Sequence, residues 1–211
     1  MASTAHHPLS RKFRFKGMTL FDTYVVGKED APGIVVIQEW WGVDYEIKNH
    51  VVKISQLGSG FKALIPEGKV GLDVAEAKHL MDGLDWQGAL SIAGSVLVPE
   101  VGAAIAFYAV PASQLADPAQ AKAPVQAHFG ELDNYVGFSY VTAAKALEEK
   151  LKASGVPHEV HIYPGNAHAF MNRSTEVIQR MKNMGMLDED EASVQLAWSR
   201  FETWMTHYLS C

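Results

Sequence analysis

The chain has 211 residues, 48% hydrophobic, 20% charged and 10% aromatic, which suits one folded domain with a sizeable core and excludes a disordered or low-complexity chain. Eighteen Lys and Arg against 24 Asp and Glu give a net charge of −6, and without a basic run that balance excludes an electrostatic nucleic-acid binder. The single cysteine, Cys211, is the last residue, so neither an internal disulfide nor a cysteine zinc site is available, and it is badly placed for a buried nucleophile.

Residues 13–27 alternate loosely through Phe13, Phe15 and the run Thr23-Tyr24-Val25-Val26, which predicts one or two leading strands. The short apolar run 33–38 predicts a strand covered on both faces. Ile47, Val51, Ile54 and Leu57 then recur at helical spacing and predict a helix over 46–57, stopped by Gly58. A second buried strand is expected at 61–66, a helix at 73–82 with Asp73 as its N-cap, and another helix at 88–97. Strands are expected at 103–109 and 123–129, and Gly130-Glu131-Leu132-Asp133 follows the second of these. Val141, Ala144, Leu147 and Leu151 make the stripe of a helix over 138–153. A strand at 158–163 leads into the loop Pro164-Gly165-Asn166-Ala167-His168, and a last helix covers 189–208 with Leu196, Phe201 and Trp204 facing inward.

Strands alternating with helices predict an α/β fold with a mainly parallel sheet, in one domain spanning 1–211. In such sheets functional groups collect at the carboxyl ends of strands. Three acid or base residues stand there: Glu39 after the first buried strand, Asp133 after the fourth and His168 after the last. An acid followed by a histidine, each just past a strand, matches the chain order of an α/β-hydrolase apparatus, in which the acid orients an imidazole that deprotonates a nucleophile.

Gln38-Glu39-Trp40-Trp41-Gly42, Phe107-Tyr108, Gly130-Glu131-Leu132-Asp133 and Gly165-Asn166-Ala167-His168-Ala169-Phe170 resemble the dienelactone hydrolase family, a branch of the α/β-hydrolase fold that opens lactone or ester bonds. The resemblance runs from about residue 13 to the C-terminal helix. It implies a three-layer sandwich with a mainly parallel central sheet. It also implies that Asp133 is the triad acid, His168 the triad base, and Glu39 the glutamate that contacts and activates the resting thiol. The backbone amide of Trp40 then resembles an oxyanion-hole donor, and Arg173 a contact to a substrate carboxylate.

The family's nucleophile turn, Gly-x-Cys-x-Gly on the central strand, has no counterpart here with Cys or Ser. Ser59 lies between a helix and a strand, and Ser95 lies within a helical stretch. Residues 88–97 resemble the helix that follows the turn, and 75–86 resemble a region well before it. The two meet at Asp85-Trp86-Gln87-Gly88, so the central nucleophile strand and the helix preceding it are missing, roughly 30 residues of one such unit. A smaller gap is expected at Pro66-Glu67-Gly68.

Plainer roles compete with these. Asp133 alone would be a turn residue, and only its pairing with His168 reverses that. Trp40 and Trp41 serve equally as core aromatics or as walls of a site. His128 and His161 lie in strands and are expected to pack or to face solvent. The histidines lack metal-site spacing, so no metal and no cofactor are expected. The polar N-terminus and the absence of a long apolar run predict a cytoplasmic protein, and Cys211 is out of register for prenylation. The expected partner is a small ester or lactone, with no nucleic acid, no membrane and a monomeric chain. The alternative is a catalytically dead or truncated relative that binds a small carboxylate or a partner.

Overall fold

The computed structural model describes residues 9–13, 21–37, 43–66, 90–183 and 190–209. Glu39, Trp40, the helix expected at 73–82 and the junctions at 67–68 and 85–88 lie outside the described residues. The chain divides into two compact units, Met1–Asp85 and Trp86–Cys211.

In the first unit, β1 (Leu9–Phe13) and β2 (Phe21–Val26) are the two leading strands. β3 (Gly33–Val35), helix α1 (Tyr45–Gln56) and β4 (Lys62–Pro66) complete it. The sheet order is β1-β2-β4-β3. β1 and β4 run antiparallel to β2, and β3 runs parallel to β4. Asp44 caps α1 by accepting from the backbone N–H of Glu46 at 3.0 Å and of Ile47 at 3.2 Å, which satisfies donors left over in the first turn. Ile47, Val51 and Ile54 bury the helix stripe. β3 is shorter than the run 33–38, and Val35 is 63% exposed. The expectation of cover on both faces therefore fails at Val35, because α1 packs against β2 and β4 and only Ile34 of β3 is buried.

The second unit starts from α2 (Leu90–Leu97) and β5 (Ala104–Phe107). It continues through a 3-10 turn (Pro118–Gln120), β6 (Val125–Gly130) and α3 (Val141–Ser154). β7 (His158–Tyr163), α4 (Thr175–Asn183) and α5 (Glu191–Leu209) close it. β5, β6 and β7 form a parallel sheet in that order. Val125, Ala127 and Phe129 point to one face, where they pack with Ile92 and Val96 of α2 and with Ala144, Leu147 and Leu151 of α3. Gln126 and His128 point to the other face, where Gln126 meets the Arg200 carbonyl of α5. β6 is buried along its whole length, although the polar Gln126 and His128 alternate with its apolar residues.

Phe201 and Trp204 face inward on α5, but Leu196 is 46% exposed. The inward face is set by Val194, Ala197, Trp198, Phe201 and Met205, and Leu196 falls off that 3.6-residue stripe. Among the described residues, β3 pairs only with β4 and β5 only with β6. No described helix is long and apolar enough to cross a membrane.

Candidate active site

The loops that follow β6 and β7 are fastened to each other. Glu131 N–H donates to the Tyr163 carbonyl at 3.0 Å, Leu132 N–H donates to the Asn166 carbonyl at 2.8 Å, and Glu131 Oε2 accepts from Gly165 N–H at 3.0 Å. Gly130 permits this approach. A Cβ there would collide with the backbone carbonyl oxygens of Asn166 and Ala167. The two loops thus deliver Asp133 and His168 to one place, although 35 residues separate them.

His168 Nδ1 lies 2.7 Å from Asp133 Oδ2. The Asp133 side chain is fully buried, while that of His168 is 22% exposed. Asp133 Oδ1 accepts from Tyr135 N–H at 3.1 Å and from the Ser139 hydroxyl at 2.9 Å. A carboxylate only accepts, so its partner Nδ1 is assigned the proton, and Nε2 is left as the basic nitrogen. Three donors on a buried carboxylate offset the loss of its hydration.

Aromatic rings confine the imidazole. Tyr135 meets it edge-on at 4.7 Å, Tyr108 is tilted at 5.4 Å, and Phe138 lies at 6.4 Å between centroids. Burial, and then the charge of Asp133, push the Tyr135 phenol above its ordinary pKa, so it stays protonated at neutral pH. Tyr108 and Ala169 both adopt left-handed backbone conformations, with φ of +56° and +64°. Such conformations cost about 1–3 kcal/mol each in a non-glycine residue and cluster at functional sites. The Tyr108 hydroxyl accepts from Met171 N–H at 2.7 Å, tying the end of β5 to the loop that carries His168.

Arg173 Nη2 lies 3.3 Å from Glu191 Oε2 at the start of α5. Glu39 and Trp40 lie outside the described residues. His128 and His161 are not part of the pair. His128 is fully buried, with Nδ1 2.8 Å from the Tyr163 hydroxyl and Nε2 2.9 Å from Gln126 Oε1. His161 Nε2 lies 2.9 Å from Glu159 Oε2. Nothing in the sequence marks Ser139 or Tyr135. Phe107-Tyr108 is visible there only as a motif, and Ser139 looks like an ordinary residue ahead of a helix. Among the described residues, no three His, Cys, Asp or Glu side chains converge as a metal centre would require.

The family model for the dienelactone hydrolase family matches residues 21–88 and 82–209. Protein usf of Aquifex pyrophilus is 23% identical over 239 positions, covering 94% of this chain and 98% of that protein. The dienelactone hydrolase-like promiscuous phosphotriesterase P91 from metagenomic libraries superposes with a TM-score of 0.74 at 16% identity, covering 96% of this chain and 99% of that one. MGS-M1, an α/β-hydrolase enzyme from a Medee basin deep-sea metagenome library, superposes with a TM-score of 0.62 at 13% identity, covering 97% and 99%. These likenesses establish the α/β-hydrolase fold.

Proposed function

Because the chain belongs to the dienelactone hydrolase family, we propose that it serves the hydrolysis of small-molecule esters or lactones, with Asp133 and His168 as the acid and base of a nucleophile–His–Asp apparatus. The observation that carries this reading is the 2.7 Å bond from His168 Nδ1 to the buried Asp133 carboxylate. That bond fixes the ring and leaves Nε2 to take a proton. With the missing unit and its cysteine in place, His168 Nε2 accepts the proton of the attacking thiol. The thiolate adds to the carbonyl carbon, and the imidazolium returns the proton to the departing alkoxide. Water then repeats the sequence and releases the acid. The Asp133 carboxylate stabilises the imidazolium through its bond to Nδ1. By the family resemblance, Glu39 contacts the nucleophile, the Trp40 amide donates to the oxyanion, and Arg173 meets a substrate carboxylate. The whole chain acts as one hydrolase-type domain and as a monomer, with no cofactor.

The nucleophile turn is the part this sequence lacks. Two observations support an internal gap. The family model matches in two pieces that overlap at 82–88, where the resemblance runs together. The alignment with protein usf spans 239 positions, about 40 more than the residues of this chain it uses.

Intact mass and hydrolysis of p-nitrophenyl acetate, measured on the same preparation, test the proposal. The sequence corresponds to 23.1 kDa. A preparation carrying the nucleophile segment is heavier by several kilodaltons, is labelled by iodoacetamide away from Cys211, and loses at least about 100-fold in kcat/KM with His168→Ala. Turnover that is indifferent to His168→Ala refutes the proposal. The absence of a Gly-x-Cys-x-Gly or Gly-x-Ser-x-Gly turn favours a second reading, a relative that binds a small carboxylate without turnover. A mass of 23.1 kDa, no esterase activity and saturable calorimetric binding of butyrate would establish it.

A further inference from the structure

We infer that Ser139 is a positioning residue for the Asp133–His168 pair, its hydroxyl holding the carboxylate so that Oδ2 keeps the proton on His168 Nδ1. The inference rests on reading Asp133 and His168 as acid and base. Ser139 is fully buried. Its Oγ donates to Asp133 Oδ1 at 2.9 Å and lies 3.2 Å from His168 Nδ1. A hydroxyl has one proton to give, and the carboxylate oxygen can only accept, so that proton goes to Asp133.

Two consequences follow from this geometry. The torsion that turns a carboxyl group about its Cβ–Cγ bond is broad and soft. The Tyr135 N–H and the Ser139 hydroxyl both hold Oδ1, which fixes the plane and leaves Oδ2 alone to face the imidazole. His168 Nδ1 then meets two oxygen atoms, Asp133 Oδ2 and Ser139 Oγ, neither with a proton to offer it. An unprotonated Nδ1 would set its lone pair against both. Ser139 therefore biases the ring toward the tautomer whose basic nitrogen is Nε2.

The local chain supports a dedicated role. A serine just ahead of a helix ordinarily caps it. Here the residue in the capping position of α3 is Tyr140, which makes no side-chain cap bond, and the neighbouring Ser139 spends its hydroxyl on Asp133 instead. Ser139 N–H donates to the Tyr135 carbonyl at 3.1 Å, and Val110 N–H donates to the Phe138 carbonyl at 3.0 Å, so the loop that presents the hydroxyl is itself held.

The test reads the tautomer of the neutral His168 ring directly by long-range ¹H–¹⁵N correlation, and needs no turnover. The wild-type protein shows Nδ1–H. Ser139→Ala lowers the ratio of Nδ1–H to Nε2–H about tenfold, the effect of one lost hydrogen bond to a charged group, and Ser139→Thr restores it. Asp133→Asn separates the two claims. If Asp133→Asn leaves the wild-type ratio, the acid–base reading itself falls. If Asp133→Asn shifts the ratio and Ser139→Ala does not, the positioning role of Ser139 alone is overturned. Should Ser139→Ala fail to fold, Ser139→Cys fills similar volume with a weaker donor, and a wild-type ratio in it overturns the inference equally.

Discussion

Replacing His128 with leucine should cost more than an average buried substitution, and the cost should shrink on acidification. The ring is completely buried on the face of β6 opposite α3. It accepts from the Tyr163 hydroxyl through Nδ1 at 2.8 Å and donates through Nε2 to Gln126 Oε1 at 2.9 Å. Gln126 Nε2 donates in turn to Glu159 Oε2 at 2.8 Å. Phe107 stacks on the ring at 4.7 Å. Leucine would leave the Tyr163 O–H without its acceptor, although Arg200 still bonds that oxygen, and would strand the Gln126 carbonyl, at about 1–3 kcal/mol for each buried group, so a loss of about 2–6 kcal/mol is expected. Against a total stability of about 5–15 kcal/mol, the upper end would leave the protein barely folded. The double variant His128→Leu/Tyr163→Phe removes one stranded atom and should recover part of the loss. The pH dependence has a definite sign. Burial, and then the charges of His161 and Arg200, hold the His128 pKa well below 6.5. Below that value the unfolded chain takes up a proton that the folded chain refuses, so wild-type stability falls as pH falls. His161 is shifted the same way by burial, so the variant keeps part of this slope. Urea denaturation of both proteins between pH 5 and 8 measures the difference, which should be largest above the ordinary histidine pKa and narrow toward pH 5. A His128→Leu protein of wild-type stability, or a difference independent of pH, would refute the argument.

Gly130→Ala should destabilise by about 1–3 kcal/mol through overpacking and also perturb the His168 NMR signals, because its Cβ would push on the backbone at Asn166 and Ala167. A thermal melt together with the His168 spectrum checks both effects. Leu147→Ala, at a completely buried position between α3 and the parallel sheet, should cost about 2–5 kcal/mol in urea denaturation while leaving the His168 tautomer unchanged. Asp44→Ala, which removes the acceptor for Glu46 and Ile47 N–H, should cost about 1 kcal/mol, and amide exchange in the first turn of α1 should quicken before any other helix responds.

Most elements are legible in the sequence because local signals produce them, and so are the places of Asp133 and His168 just past strand ends. β7 spans 158–163 as expected, and α1 ends at Gln56, just ahead of Gly58. Asp133 and His168 stand past the ends of β6 and β7 and meet as chain order implies. What was not legible depends on register and on sparse patterns. Gln126 faces Glu159 and His128 faces His161 only because β6 and β7 pair in that register, and no local window contains both strands. α4 buries only Val177 and Met181, too thin a stripe to stand out. The apolar residues of α5 include Leu196, which lies off the buried stripe and is exposed. Ser139 carries the residue type of a helix cap, and nothing short of the folded loop reveals that its hydroxyl goes elsewhere.

The link between Asp133 and His168 also has a kinetic meaning. The two residues lie on either side of a complete helical crossover, so their bond closes a loop of 35 residues. Such closures carry an entropic cost before any contact rewards them, and parallel pairings form slowly for that reason. The helices α2 and α3 can collapse on β6 without bringing the acid to the base. Protection of the His168 Nδ1 proton therefore reports the docking of β7 rather than the collapse of the core, and in a refolding experiment it should emerge after the helical signal.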